Sequence, residues 1–260
     1  QAGMSGLPNV ANFFGNIYDA RYLTGIVAGM VTEADKLGYV TAQQYAECIS
    51  GLTAFYLGAK SVNPDVVMDI MFTNTWYDVT LESQAATALL AAGADVLGQH
   101  ADSAATQTAA EAAGKYAVGY NTDMSVAAPA ANLCSAVWNW APAYKHFIEG
   151  VLNGEAMGDY SGNLAEGMVD IVYNEELLAT LDNAEEIKAK VEEARAAINA
   201  GTLHVFDTSA FTVGGAEVTS TADVEGFFGT EYIWDGYFHE SELASAPAFN
   251  LFIDGINVIQ

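Results

Sequence analysis

Basic residues are scarce in this sequence: eight Lys and Arg stand against 33 Asp and Glu among 260 residues, a formal charge of −25. A surface of that sign repels phosphate backbones and anionic headgroups, which argues against nucleic acid and membrane surfaces as partners. It leaves room for a neutral ligand in a cleft, and reads most simply as a solubility feature in keeping with a saline habitat. Cysteine is nearly absent. Cys48 and Cys134 lie in no CxxC or Cys/His cluster, so no zinc site is indicated and two buried free thiols are expected. No apolar run reaches the ~18 residues needed to cross a membrane. No basic n-region with an apolar h-region opens the chain, as in a mature protein or a shortened one. Charged residues make up only 16% and apolar residues 52%, so the chain can bury a sizeable core and intrinsic disorder is excluded.

Enzyme signatures are missing as well. There is no GxSxG elbow, no GxxxxGK[ST] loop, no HExxH, and no GxGxxG after a strand. The four histidines are scattered, with no nucleophile beside a base. No catalytic residue, metal ligand or cofactor is assigned.

What is present is an alternation of strand-like and helix-like runs. Val10–Phe14 reads as a short strand and Tyr18–Thr32 as a helix with Leu23, Ile26, Val27 and Met30 on one face. Leu37–Thr41, Val66–Thr73, Ala94–Gly98 and Tyr116–Tyr120 read as buried strands. Helices fill the gaps: Ala46–Ser61, a run capped by Asp78 or Thr80 and closed by Gly93, and Ser103–Ala113. Short connections between such units mark a parallel, doubly wound α/β sheet. Further on, Leu133–Val137 and Met168–Val172 read as strands, and Pro142–Leu152 and Asn183–Asn199 as helices. The tail from Thr202 holds short β-like pieces rich in aromatics.

In open α/β sheets, ligands bind beyond the carboxyl ends of the strands. Four successive strand ends carry Trp76, Tyr77 and Asp78; Gln99, His100, Asp102 and Ser103; Asn121 and Asp123; and Trp138, Asn139 and Trp140. Aromatic, amide and carboxylate groups together suit stacking on a flat polar heterocycle and bonding to its edge. The candidate ligand-binding residues are Trp76, Tyr77, Gln99, Asp102, Asn121, Asp123, Trp138 and Asn139. Each has a plainer reading: Trp76 as packing between loop and helix, Asp78 as an N-cap, His100 as a structural hydrogen-bonder, Asp123 as a turn cap, and one of Trp138 and Trp140 as core. Convergence of the set, more than any single residue, points to a site.

The same stretches resemble the basic membrane protein (BMP) family of substrate-binding lipoproteins, a branch of the type I periplasmic-binding fold. The matching motifs are Gly15-Asn16-Ile17-Tyr18-Asp19-Ala20-Arg21-Tyr22-Leu23-Thr24-Gly25, Lys36-Leu37-Gly38-Tyr39-Val40, Thr73-Asn74-Thr75-Trp76-Tyr77-Asp78 and Gly93-Ala94-Asp95-Val96. Gln99-His100-Ala101-Asp102-Ser103, Gly119-Tyr120-Asn121-Thr122-Asp123-Met124-Ser125 and Val137-Trp138-Asn139-Trp140 continue the match. Gly167-Met168-Val169-Asp170 and Ile253-Asp254-Gly255-Ile256 complete it.

The resemblance implies two Rossmann-like lobes and a cleft that closes by a hinge. It implies a purine base or nucleoside held between aromatics, and delivery to the permease and ATPase subunits of an ABC importer. The protein is then an extracytoplasmic monomer, periplasmic or lipid-anchored to the outer face of the cell membrane. Trp76 occupies the aromatic position of the second lobe. Asn121 stands where nucleoside binders often carry a carboxylate for the ribose, which leaves a free base such as adenine or hypoxanthine equally open. Family members begin with roughly three more βα units, about 90 residues by the size of such a unit. The N-terminal part of the first lobe is therefore expected to be absent from this chain. The implied division is 1–35 as a remnant of the first lobe, 36–130 as the second lobe, and 131–260 as a return to the first lobe with hinge crossings and a C-terminal extension. A ligand-sensing receptor module and a nucleoside-processing enzyme are the alternatives.

Overall fold

Runs such as Leu37-Gly38-Tyr39-Val40-Thr41 have no polar face, which suits a strand covered on both sides. In the computed structural model, which describes residue 7 and residues 9–155 and 157–259, these runs form a single seven-stranded sheet. The loop-like start expected over Gln1–Asn9 lies, apart from Leu7 and Asn9, outside the described residues.

The chain runs β1 (Phe13–Gly15), α1 (Ile17–Val31), β2 (Lys36–Thr41), α2 (Ala46–Val62), β3 (Val67–Phe72), α3 (Val79–Ala91), β4 (Val96–His100), α4 (Ala105–Ala112) and β5 (Tyr116–Asn121). It continues through β6 (Asn132–Trp138), α5 (Ala141–Asn153), β7 (Tyr160–Gly162), β8 (Val169–Tyr173), α6 (Glu175–Leu178) and α7 (Ala184–Asn199). The short strands β9 (Ile233–Trp234), β10 (Tyr237–Phe238) and β11 (Ile256–Val258) follow. The sheet order is β11-β3-β2-β4-β5-β6-β8.

All four strands of residues 36–121 are parallel, as their alternation with helices requires. The sheet does not close within 36–130. β6 and β11 add to its two sides in parallel, and β8 pairs antiparallel with β6 at one edge. The boundary expected at residue 130 thus falls inside one continuous sheet, because β5 and β3 would otherwise present open edges. α1, which lies before the boundary expected at residue 36, packs on α2 and on β6 and β8 of the same sheet.

The sheet has two unlike faces. One carries α1, α2 and α7 over a core of large side chains, among them Leu23, Ile26, Leu52, Phe55, Tyr56, Met68 and Ile70. The other carries α3 and α4 over a thinner, alanine-rich core of Val40, Ala85, Ala86, Leu89, Leu97, Ala110 and Ala117. α1 and α2 touch backbone to backbone: a methyl at Gly25 would overlap the Phe55 carbonyl oxygen, and one at Gly58 the Tyr22 carbonyl oxygen.

Asp78, not Thr80, caps α3. Its carboxylate accepts from the Thr80 and Leu81 amides at 2.9 and 3.0 Å, and Glu82 reaches back to the Asp78 amide at 3.0 Å. The first strand starts later than expected, at Phe13 and not Val10. Its pairing with β7 begins only at the Phe13–Tyr160 register. Beside this two-stranded sheet lies α5, where Phe13 meets Trp140, Tyr144 and Phe147. α5 leaves Tyr144, Ile148, Val151 and Leu152 exposed on one face. Beyond Thr202 the chain is irregular and packs through Phe206, Phe211, Phe227, Phe238 and Phe249.

Candidate functional site

Parallel strands put the loops after β2, β3, β4, β5 and β6 at one end of the sheet. There they surround a cavity of about 370 Å³ lined by Phe14, Glu47, Trp76, His100, Asp102, Tyr120, Asn121, Trp138 and Trp140. Five of these nine carry aromatic rings other than imidazole. Trp138 stacks on Trp140 with centroids 4.8 Å apart and planes 13° apart, and meets Phe14 edge-on at 5.3 Å. Trp76 stands half-buried on the other side, 6.0 Å from His100 and 6.4 Å from Tyr45.

Of the eight residues read from the sequence, Trp76, Asp102, Asn121 and Trp138 come together at this cavity. Three of them are tied to one another. Asn121 donates to Asp102 at 2.9 Å and accepts from Trp138 Nε1 at 3.0 Å. Asn121 can hold this bridge because its backbone is left-handed, φ +72°, a conformation Asn tolerates.

The other four lie elsewhere. Tyr77 is 63% exposed and does not line the cavity. Gln99 is buried, and its amide binds the Ser103 carbonyl at 2.9 Å and the Ala101 carbonyl at 3.3 Å, which fixes the loop after β4. Asp123 caps the Ser125 amide at 2.9 Å, and Asn139 spans the Gly167 carbonyl and the Ala141 amide at 2.9 and 3.2 Å. Strand-end position alone does not distinguish side chains that face the cavity from those that brace its loops.

Phe14, Glu47, His100, Tyr120 and Trp140 complete the lining. The strand-end rule reaches Glu47 when applied to the loop after β2, and His100 and Tyr120 are themselves the last inward residues of β4 and β5. Phe14 enters from the crossing strand β1, which carries no such signal.

Beneath the cavity sits Arg21. No carboxylate lies within ion-pair distance of it among the described residues. Instead Nη1 donates to the Tyr39 hydroxyl and the Gln99 carbonyl, and the guanidinium lies 3.7 Å from the centroid of the Tyr120 ring. Nε and Nη2 have no hydrogen-bond partner among the described residues. Burial, with Arg21 adding to it, holds the His100 imidazole well below its usual pKa and therefore neutral. Burial raises Glu47; Arg21 opposes the rise and Asp102 reinforces it. Burial likewise pushes Tyr120 up to about 12. Among the described residues no group of three His, Cys, Asp or Glu side chains could hold a metal ion.

The chain has relatives of known name and solved structure. A Haloferax volcanii protein named as a candidate ABC transporter glucose-binding protein is 36% identical over 161 residues, 62% of this chain and 41% of its own. A purine-binding protein of Brucella abortus is 32% identical over 199 residues, 76% of this chain and 55% of its own. The chain therefore spans about half the length of these relatives. Among solved structures, an ABC transporter solute-binding protein of Conexibacter woesei superposes with a TM-score of 0.61 at 23% identity, over 78% of this chain and 68% of that one, and shares its fold. A model of the Bmp family, described as PnrA-like ABC transporter substrate-binding proteins, matches residues 2–203 and stops short of the aromatic tail. The chain belongs to that family, whose members bind solutes and are not enzymes.

Proposed function

We propose that this chain captures a purine base or purine nucleoside in the cavity at the carboxyl end of its sheet, as the binding protein of an ABC importer. The observation that carries this reading is the aromatic wall. Trp76 on one side and Trp138 with Trp140 on the other offer flat π-faces to a planar heterocycle. Glu47, Asp102 and Asn121 supply polar atoms at its rim. A phosphate would meet the carboxylates of Glu47 and Asp102 in the cavity lining, so a neutral base or nucleoside is favoured over a nucleotide. The Brucella relative, a purine-binding protein, supports the same ligand class.

Capture would take place outside the cytoplasm, by a monomer that closes on its ligand and hands it to a permease driven by ATPase subunits. Gln99, Asp123 and Asn139 would act by bracing the loops that present the lining residues.

A sugar is the second reading, favoured by the name of the Haloferax relative. Indole faces also pack on sugar rings, and Asp102 and Asn121 also suit hydroxyls. Calorimetry with adenine, adenosine, AMP and glucose separates the two. Binding of adenine or adenosine more tightly than glucose and AMP is expected. Tighter binding of glucose than of both purine species would overturn the proposal.

A further inference from the structure

Two polar side chains in the cavity lining, His100 and Glu47, make no hydrogen bond among the described residues. His100 is 1% exposed, and neither ring nitrogen has a hydrogen-bond partner. Glu47 makes no hydrogen bond among the described residues; its nearest polar neighbour is His100, with Oε1 3.9 Å from Nε2. That separation is too long for the two to satisfy each other. It is short enough for both to address neighbouring atoms of one heterocycle. Burying the His100 ring without a partner costs free energy, and Glu47, whose side chain is 36% exposed, stands open beside it, so the pair marks the place where a ligand supplies what is missing.

The proton on His100 can be placed. A methyl at Gly51 would lie 3.1 Å from His100 Nδ1 and 3.3 Å from Arg21 Nε, so these two atoms face the same point behind the ring. Nε2 is the ring nitrogen turned toward the Glu47 carboxylate, 3.9 Å from Oε1, and an acceptor on that side favours the tautomer that carries its hydrogen on Nε2. Arg21 carries a fixed positive charge on the Nδ1 side, which disfavours a second cation in the imidazole. The cavity lining therefore presents one acceptor, the Glu47 carboxylate, beside one donor, His100 Nε2–H.

We propose that Glu47 and His100 are the specificity-determining pair of this cleft: Glu47 accepts an N–H of the ligand, and His100 Nε2–H donates to the acceptor atom next to it. The inference rests on the purine reading above and narrows it to bases that carry a donor beside an acceptor. At the substituted end of the six-membered ring, two edges have this chemistry, the amidine edge of a 6-aminopurine and the lactam edge of a 6-oxopurine. A methyl in place of the amino group, or on the lactam nitrogen, abolishes it.

The test deletes the same bond from both sides. Calorimetry on the full chain compares adenine with 6-methylpurine and hypoxanthine with 1-methylhypoxanthine, in the wild type and in Glu47→Ala. In the wild type, the base with the intact edge should bind about 10–100-fold more tightly than its methylated partner, the size of a hydrogen bond to a charged group. In Glu47→Ala that gap should vanish while stacking keeps measurable binding. The pair that shows the gap identifies the edge. His100→Gln, which retains an N–H donor, should bind better than His100→Leu, with circular dichroism confirming that both are folded. A gap that persists in Glu47→Ala, or no gap in the wild type, overturns the assignment while leaving purine binding intact. Wild-type protein that binds none of the four bases, and neither adenosine nor inosine, overturns the purine reading itself, and this assignment with it.

Discussion

Trp76 and Asp19 show how far a single side chain sets the behaviour of the site and of the fold. Trp76 stands alone on its wall, whereas Trp138 is backed by Trp140, so truncation at position 76 leaves no second indole to take its place. Trp76→Ala should weaken purine binding about 2–10-fold beyond the effect of Trp76→Phe, from stacking worth about 0.5–1.5 kcal/mol. Equal affinities for the two variants in a titration would exclude stacking. Asp19 lies on the buried side of α1, where burial, opposed by a backbone hydrogen bond from Leu164, pushes its carboxyl up to about 8 from an ordinary 3.8. The folded state therefore holds a proton that the unfolded chain has released. This contribution to stability is complete below pH 3.8 and is lost as pH rises to about 8. One linked proton changes stability by at most about 1.4 kcal/mol per pH unit in that window. Urea unfolding at pH 5 and pH 8 should show Asp19→Asn losing less stability than the wild type between the two. Nothing in the sequence marks Asp19 as unusual, since its environment is made by chain segments far from it; Trp76 was legible because a loop just past a strand is a poor place for a core tryptophan.

Helix contact explains why α1 and α2 contain glycines that a helix would otherwise avoid. Gly25 and Gly58 stand where the two backbones meet, and any side chain there meets a carbonyl oxygen of the facing helix. Gly58→Ala should cost about 1–3 kcal/mol through overpacking, despite the better helix propensity of alanine. A more stable variant in denaturant titration would show that the helices separate freely. The elements themselves were legible: alternation pointed to α1 to α4 and to the parallel direction of β2 to β5, because apolar period and turn residues are local signals. The antiparallel edge strand β8 and the return of β11 were not, because strand pairing is decided across the chain and not along it. The same limit separates Gln99, which braces a loop, from Asp102, which lines the cavity three residues on.

At the scale of the whole molecule, 33 acidic and eight basic residues make the folded state repel itself. Several cations are already committed to local pairs, such as Lys36 with Asp69 at 2.8 Å and Arg195 with Asp170 at 2.7 Å. Raising ionic strength from about 0.01 M to 1 M shortens the screening length from about 30 Å to about 3 Å, which should relieve most of the remaining repulsion. The melting temperature should therefore climb steadily over that range in a neutral salt such as KCl. A flat or falling curve in scanning calorimetry would show that the charges are spaced widely enough to ignore one another.

The pairing of β11 with β3 has a consequence in time as well as in space. Asn257 and Asp69, joined at 3.1 Å across that ladder, are 188 residues apart. At a synthesis rate of about 5–20 residues per second, roughly 10–40 s separate the appearance of β3 from that of the strand that covers it. For that interval the outer edge of Met68-Asp69-Ile70 hangs open on the growing chain, a template for pairing with any other extended segment. The last strand is thus the slowest part of the sheet to arrive, and the edge it covers is where a chaperone that shields nascent chains would be needed longest.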